Sequence, residues 1–211
     1  MVEGVKPIRR VVTGNDAQGR SKVLFDSAAP NVNPNSFKKG TGMTDIWVFH
    51  NCPANIQGEK DDGNLPFHFE PPANGGHLRI VQSDEMPRDY EATKDTYIVP
   101  EHPPKKTPGG TWERGRQNLY TTRIHKSETI DYGILVSGER TMILDDGEYH
   151  LKPGDCVIDL AAWHAWRNIN AGSMAFVFIA AEFDDPIGNS GKSGISGISG
   201  ISGISGGEGK S

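Results

Sequence analysis

At 211 residues, 35% hydrophobic and 23% charged, the chain is long enough to close one ordinary globular core. Its 22 basic and 27 acidic side chains leave a formal charge of −5. That excludes a broad cationic surface for phosphate backbones or anionic lipids, so neither nucleic acid nor membrane is an expected partner. The first ten residues hold no apolar run of the signal-peptide kind and nothing downstream reaches the length of a membrane span, so a cytoplasmic location is expected.

The chain begins with short β-type runs at residues 8 to 13, 22 to 26 and 45 to 50, each ended by Gly, Asn or Pro. None has a helical period. A polar, Pro/Gly-rich stretch from 57 to 76 precedes an alternating run at 77 to 81. Residues 84 to 116 read as loop apart from 96 to 99, because Pro103-Pro104 and Pro108-Gly109-Gly110 argue against regular structure. A loop of that length in a compact domain is usually functional or mobile.

From Leu119 onward strands are dense, at 119 to 124, 131 to 136, 140 to 144, 148 to 151, 156 to 160, 164 to 168 and 174 to 181, with Asp145-Asp146-Gly147 as a hairpin turn. Many short strands with tight turns predict an antiparallel sandwich or barrel. The run from 174 to 179 is apolar on both faces and is expected to be central. Two cysteines, Cys52 and Cys156, are too few for a disulfide scaffold, and Cys156 lies in an apolar run and is expected to be a buried thiol. Beyond Asp185-Pro186, residues 194 to 205 are four copies of Gly-Ile-Ser. Without proline this is not a collagen repeat, and isoleucine at every third position builds no core. The expected organisation is a single domain over residues 1–184 and a disordered tail over 185–211.

The residues that look like chemistry lie between His125 and Asn168. His125, Asp131 and His164 fall where adjacent strands of a small barrel would point them inward at one place, which is the pattern of a metal site. Glu128 is a rival carboxylate, but its loop position favours a solvated role. Trp166, two residues from His164, shares its side of a strand and is expected to wall the site, whereas Trp163 is expected to pack. Tyr132 points away from Asp131 and is read as core. His50, His68, His77, His102 and His150 lack paired ligand spacing and read as surface or satisfied histidines.

In order and spacing, residues 119 to 182 resemble the conserved barrel of the cupin superfamily. The first cupin motif runs Gly, five residues, His-x-His, three or four residues, Glu, six residues, Gly; the second runs Gly, five residues, Pro-x-Gly, two residues, His, three residues, Asn. His125 takes the place of the first histidine, Asp131 that of the glutamate, and Gly138 follows at the expected distance. Gly154 opens the second motif, which His164 and Asn168 close. The chain departs from the pattern where Ser127 replaces the second histidine, Asp131 replaces glutamate, Leu160 and Ala162 replace Pro and Gly, and His164 comes one residue early.

The resemblance implies an all-β cupin fold, a double-stranded β-helix or jelly-roll barrel, with the N-terminal strands extending the sheet or forming a contact between two copies; a homodimer is expected. It leaves a two-histidine, one-carboxylate metal set of His125, Asp131 and His164. Such a set suits Fe(II) first, with Mn, Zn or Ni as alternatives. Ser127, a poor ligand, would orient a water or a substrate oxygen. With residues 8 to 14, Asp45-Ile46-Trp47 and Asp131-Tyr132-Gly133, the chain looks like a subgroup of small single-domain cupins. Some fungal members are encoded with polyketide pathways, including those for salicylaldehyde-type aromatics, and are described as oxidoreductases.

The function so implied is a metal-dependent oxidoreductase acting on a small aromatic or polyketide-derived metabolite in secondary-metabolite biosynthesis. Two alternatives stay open. One is a Lewis-acid dehydratase, cyclase or decarboxylase using the same residues, and the other is a non-catalytic small-molecule-binding module.

Overall fold

The computed structural model describes residues 5–34, 41–56 and 60–182. The Gly-Ile-Ser tail lies outside the described residues. Fourteen strands occur among them: β1 (Arg9–Asn15), β2 (Ser21–Ala28), β3 (Asn31–Pro34), β4 (Gly42–Phe49), β5 (Gly76–Ser83), β6 (Val99–Lys106), β7 (Trp112–Gln117), β8 (Ile124–Lys126), β9 (Thr129–Ser137), β10 (Arg140–Ile143), β11 (Glu148–Leu151), β12 (Cys156–Leu160), β13 (Ala165–Asn168) and β14 (Gly172–Ala180). The single helical element described is a 3-10 turn at Ala92–Lys94. No described helix is long and apolar enough to cross a membrane.

One wall is a six-stranded sheet in the order β12-β9-β14-β5-β4-β3. β14, apolar on both faces, lies in its interior between β9 and β5, as expected from its sequence. The N-terminal β3 and β4 extend that sheet, while β1 and β2 form a separate hairpin. The facing wall has two three-stranded pieces, β11-β10-β13 and β6-β7-β8. They are tied by isolated bridges between Thr121 and Arg167 and between His125 and His164. All pairings recorded are antiparallel.

Side chains from both walls meet in one core of Leu135, Val157, Trp166, Met174, Phe176 and Phe178, with Val81, Met142 and Leu151 against it. Burying such residues stabilises the fold by about 25 cal/mol per Å² of apolar surface removed from water. Strand alternation sets which residues take part. On β9, Thr129, Asp131, Gly133 and Leu135 point inward, and on β12 Val157 and Asp159 do so. Gly133 is required to be small, because a Cβ there would stand 2.6 Å from Met174 Cε and 2.8 Å from a Phe176 ring carbon. A smaller cluster of Ile124, Trp163 and Ala165 fills the other end, with Trp163 beneath the cations of Arg114 and Lys126.

Several expectations are corrected. Residues 84 to 116 are not all loop, since they contain β6 and β7. Pro103 and Pro104 lie within β6, which tolerates them as an edge strand with an irregular register between Glu101 and Lys105. Residues 119 to 124 do not form a strand: Asn118 takes the Tyr120 and Thr121 amides on its side chain and turns the chain there. Cys156 is exposed rather than buried. Tyr132 points away from Asp131 as expected, but onto the outer face of the sheet, where it is 42% exposed. His77 is buried and its Nε2 has no partner, so it is neither a surface nor a satisfied histidine.

Candidate functional site

The barrel encloses a small chamber of about 60 Å³, and its lining includes His125, Ser127, Asp131, Asp159, His164 and Trp166. Outside it lies a larger vestibule of about 320 Å³, with Phe69, Thr122 and His125 lining both spaces. The five predicted site residues, His125, Ser127, Asp131, His164 and Trp166, thus share one cavity.

His125 comes from β8 and His164 from the residue before β13. Their backbones exchange a pair of hydrogen bonds, His125 N to His164 O at 2.8 Å and His164 N to His125 O at 2.9 Å. This places the two imidazoles side by side with centroids 4.4 Å apart. Each ring is anchored through Nδ1. His125 Nδ1 donates to the Arg123 carbonyl at 2.7 Å. His164 Nδ1 faces Asp159 Oδ2 at 2.6 Å and the Ala162 carbonyl at 3.0 Å. An oxygen acceptor at Nδ1 fixes the proton there and leaves Nε2 of the neutral ring as the lone-pair nitrogen. A histidine held by a carboxylate in this way has the outer support common around metal ligands.

The two rings differ electrically. Burial and the neighbouring His164 push His125 down to about 3. Burial would also lower His164, but the hydrogen bond and charge of Asp159 outweigh it and His164 is raised. Asp159 itself is lowered; its burial opposes ionisation, and contact with His164 prevails.

Asp131 enters from the opposite wall on β9, directly across from Asp159 on β12. It is 6% exposed and its Oδ1 has no hydrogen-bond partner. Burial raises its carboxyl to about 7, a bond from Thr129 opposes this, and Asp159 and Glu70 add to the rise. Ser127 is buried and its hydroxyl bonds to Glu70, so its remaining lone pairs are what it offers the cavity. Glu128 pairs with Lys106 Nζ at 3.0 Å, in keeping with a solvated role. Trp166 packs edge-on to His164 at 5.7 Å, whereas Trp163 belongs to the separate packing cluster.

Among the described residues, no three His, Cys, Asp or Glu side chains are already drawn together as a metal-holding group. The donor chemistry nonetheless fits a metal in kind: two anchored imidazoles and, lining the same cavity, a buried carboxylate with an orphaned oxygen.

Among the residues of this cavity that sequence spacing missed are Asp159, Arg140 and Phe69. Asp159 follows Val157 at the same inward parity of β12, which was a readable signal. Arg140 is a charged residue at the inward parity of β10, two positions from the core residue Met142. Phe69 gave no signal, because its place depends on Arg79. That fully buried arginine grips Asp45 at 2.6 and 3.2 Å and donates to the carbonyls of His68 at 2.6 Å and Phe69 at 3.1 Å, fixing the loop against the barrel.

No protein-family model matches the chain. Curated relatives do match parts of it. A phomopsin biosynthesis cluster protein D of Diaporthe leptostromiformis is 40% identical over 63 residues, 28% of this chain and 33% of that protein. The cupin-domain-containing oxidoreductase fogC of Aspergillus ruber is 34% identical over 62 residues, 26% of this chain and 30% of that protein. The likeness is to cupin-domain proteins of fungal biosynthesis clusters. The match to these relatives spans about a third of their length. Among solved structures, a putative ethanolamine utilization protein Q from Salmonella typhimurium is similar with a TM-score of 0.41 at 8% identity, covering 84% of this chain and all of that one. The Schizosaccharomyces pombe Cnp3 cupin domain gives 0.36 at 9% identity, covering 82% of this chain and 87% of that one.

Proposed function

We propose that this chain is a metal-dependent cupin enzyme of secondary-metabolite biosynthesis, an oxidoreductase acting on a small aromatic or polyketide-derived molecule. The observation that carries the reading is the pair of imidazoles in one cavity, each anchored through Nδ1. The names of the partial relatives support the reaction class. His125 and His164 would hold the ion through Nε2, with Asp131 as the third donor. A divalent ion, Fe(II) by preference or Mn, Zn or Ni, would supply redox or Lewis-acid chemistry when bound. The chain's own contribution is positional. Asp159 sets the His164 ring, Trp166 walls the cavity, Ser127 offers a hydroxyl oxygen to a ligand, and the apolar floor of Val157, Phe176 and Phe178 excludes water. The working form is proposed to be a cytoplasmic homodimer.

A second reading, a metal-free small-molecule-binding module, is favoured by the unconverged donors. Elemental mass spectrometry of anaerobically purified protein separates the two. The expected result is near-stoichiometric transition metal in the wild type, loss of it in His125→Ala and Asp131→Ala, and a 10- to 100-fold weaker metal affinity in Asp159→Asn. Folded protein that takes up no metal on reconstitution would leave the binding module as the reading.

A further inference from the structure

Among the described residues three arginines are almost fully buried: Arg10, Arg79 and Arg140, at 5%, 0% and 3% exposure. Arg10 is paired with Asp61, and Arg79 with Asp45. Arg140 has no acidic partner among the described residues. Its guanidinium donates to Ser83 Oγ at 2.9 Å and lies 6.0 Å from the Trp166 ring, and a guanidinium with five donors is left largely unanswered by these contacts. Burying a charge without a counter-charge is costly, and proteins of ordinary stability carry such a group only where something repays it. Nothing but desolvation acts on its acidity, which falls to about 10, so it stays cationic at neutral pH.

Arg140 also lines the chamber that holds His125 and His164. Trp166 stands between the two ends, 5.7 Å from His164 on one side and near Arg140 on the other. Register explains this: on the paired β10 and β13, Arg140 faces Asn168 and Met142 faces Trp166. The chamber therefore has a cationic end and a histidine end, separated by one indole, with an apolar floor.

We propose that Arg140 is a substrate anchor, and that the molecule taken by this cavity carries a carboxylate that pairs with the guanidinium while its body lies along Trp166 toward the histidines. The proposal rests on the reading of this cavity as the substrate site. Guanidinium and carboxylate match in planar, two-pronged geometry, which selects a carboxylate over a neutral amide of the same shape. The anchor would also fix which end of the molecule reaches His125 and His164, so Arg140 would set orientation as well as affinity.

Benzoate and its neutral isostere benzamide test this, titrated into the full chain by calorimetry and followed by NMR of the Trp166 indole and Arg140 Nε–H signals. Benzoate is expected to bind wild type at least tenfold more tightly than benzamide and to shift the Arg140 signal. Arg140→Gln should lose that preference while keeping benzamide affinity within twofold, and Arg140→Lys should fall between. Should Arg140→Gln fail to fold, the wild-type Arg140 signal and the Arg140→Lys titration decide alone. Benzoate that binds Arg140→Gln as tightly as wild type, through a metal ion or otherwise, or that leaves the wild-type Arg140 signal unmoved, overturns the anchor but not the site. If neither probe moves the Trp166 indole, the cavity is not the substrate site and the anchor falls with it.

Discussion

His77 shows what a single buried side chain imposes on the molecule. It is 2% exposed, lies 4.9 Å from the Phe178 ring, and burial together with Arg79 holds it down to about 3. In the unfolded chain the same group titrates near 6.5. Between those values the unfolded state takes up a proton that the folded state refuses, so the stability it contributes is complete above about 6.5 and is lost as pH falls toward 3. This one group contributes a slope of up to about 1.4 kcal/mol per pH unit. Urea unfolding of His77→Leu between pH 4 and 7 should show a shallower decline than wild type; equal slopes would show that His77 is protonated in the folded state. At this scale the sequence was legible where alternation had one apolar side, as for Trp166, and where motif spacing named the residue, as for His125 and His164. It misled for Tyr132 and Cys156 because β9 and β12 carry apolar residues on both faces, and alternation alone does not say which face is inside.

Strands and turns were readable wherever the period was short and the turn chemistry strong. β9 through β14 lie within a few residues of their expected places, and the Leu144 amide closes on the Gly147 carbonyl at 2.8 Å in the predicted hairpin. β6 was not readable, since its prolines suit an edge strand that need not donate along its whole length, and β7, between β6 and β8, was not readable because Glu113, Arg114, Gly115, Arg116 and Gln117 give it no apolar alternation. Within β9, Gly133 decides how closely the floor approaches the cavity. Gly133→Ala would press on Met174 and Phe176, and overpacking of this kind costs about 1–3 kcal/mol. A lower thermal midpoint with weakened probe binding is expected; an unchanged midpoint would mean that the floor has slack the packing distances deny.

On the whole molecule, the outer face of the six-stranded sheet stands out. Tyr132, Ile134, Val136, Ile158 and Leu160 are 42 to 63% exposed, and the β9–β12 register sets Ile158 beside Tyr132 and Leu160 beside Ile130. Soluble monomers rarely expose a contiguous apolar patch of more than a few hundred Å². A second copy meeting the first face to face would cover it with a two-fold contact. Sedimentation of the wild type should therefore give a dimer, and Ile158→Lys with Leu160→Lys should give a folded monomer. A monomeric wild type at micromolar concentration would remove the case for self-association through this face.

The bridge between His125 and His164 joins two pieces of the facing wall, and it is made by the backbones of the same two residues whose rings meet in the cavity. Architecture and the candidate site share the same two residues there. A ligand that grips both rings would also span the two sheets, so its binding would add to the stability of the facing wall. Because the bridge itself is made by backbone atoms, replacing either imidazole would leave the two sheets joined and remove only the grip a ligand has on them.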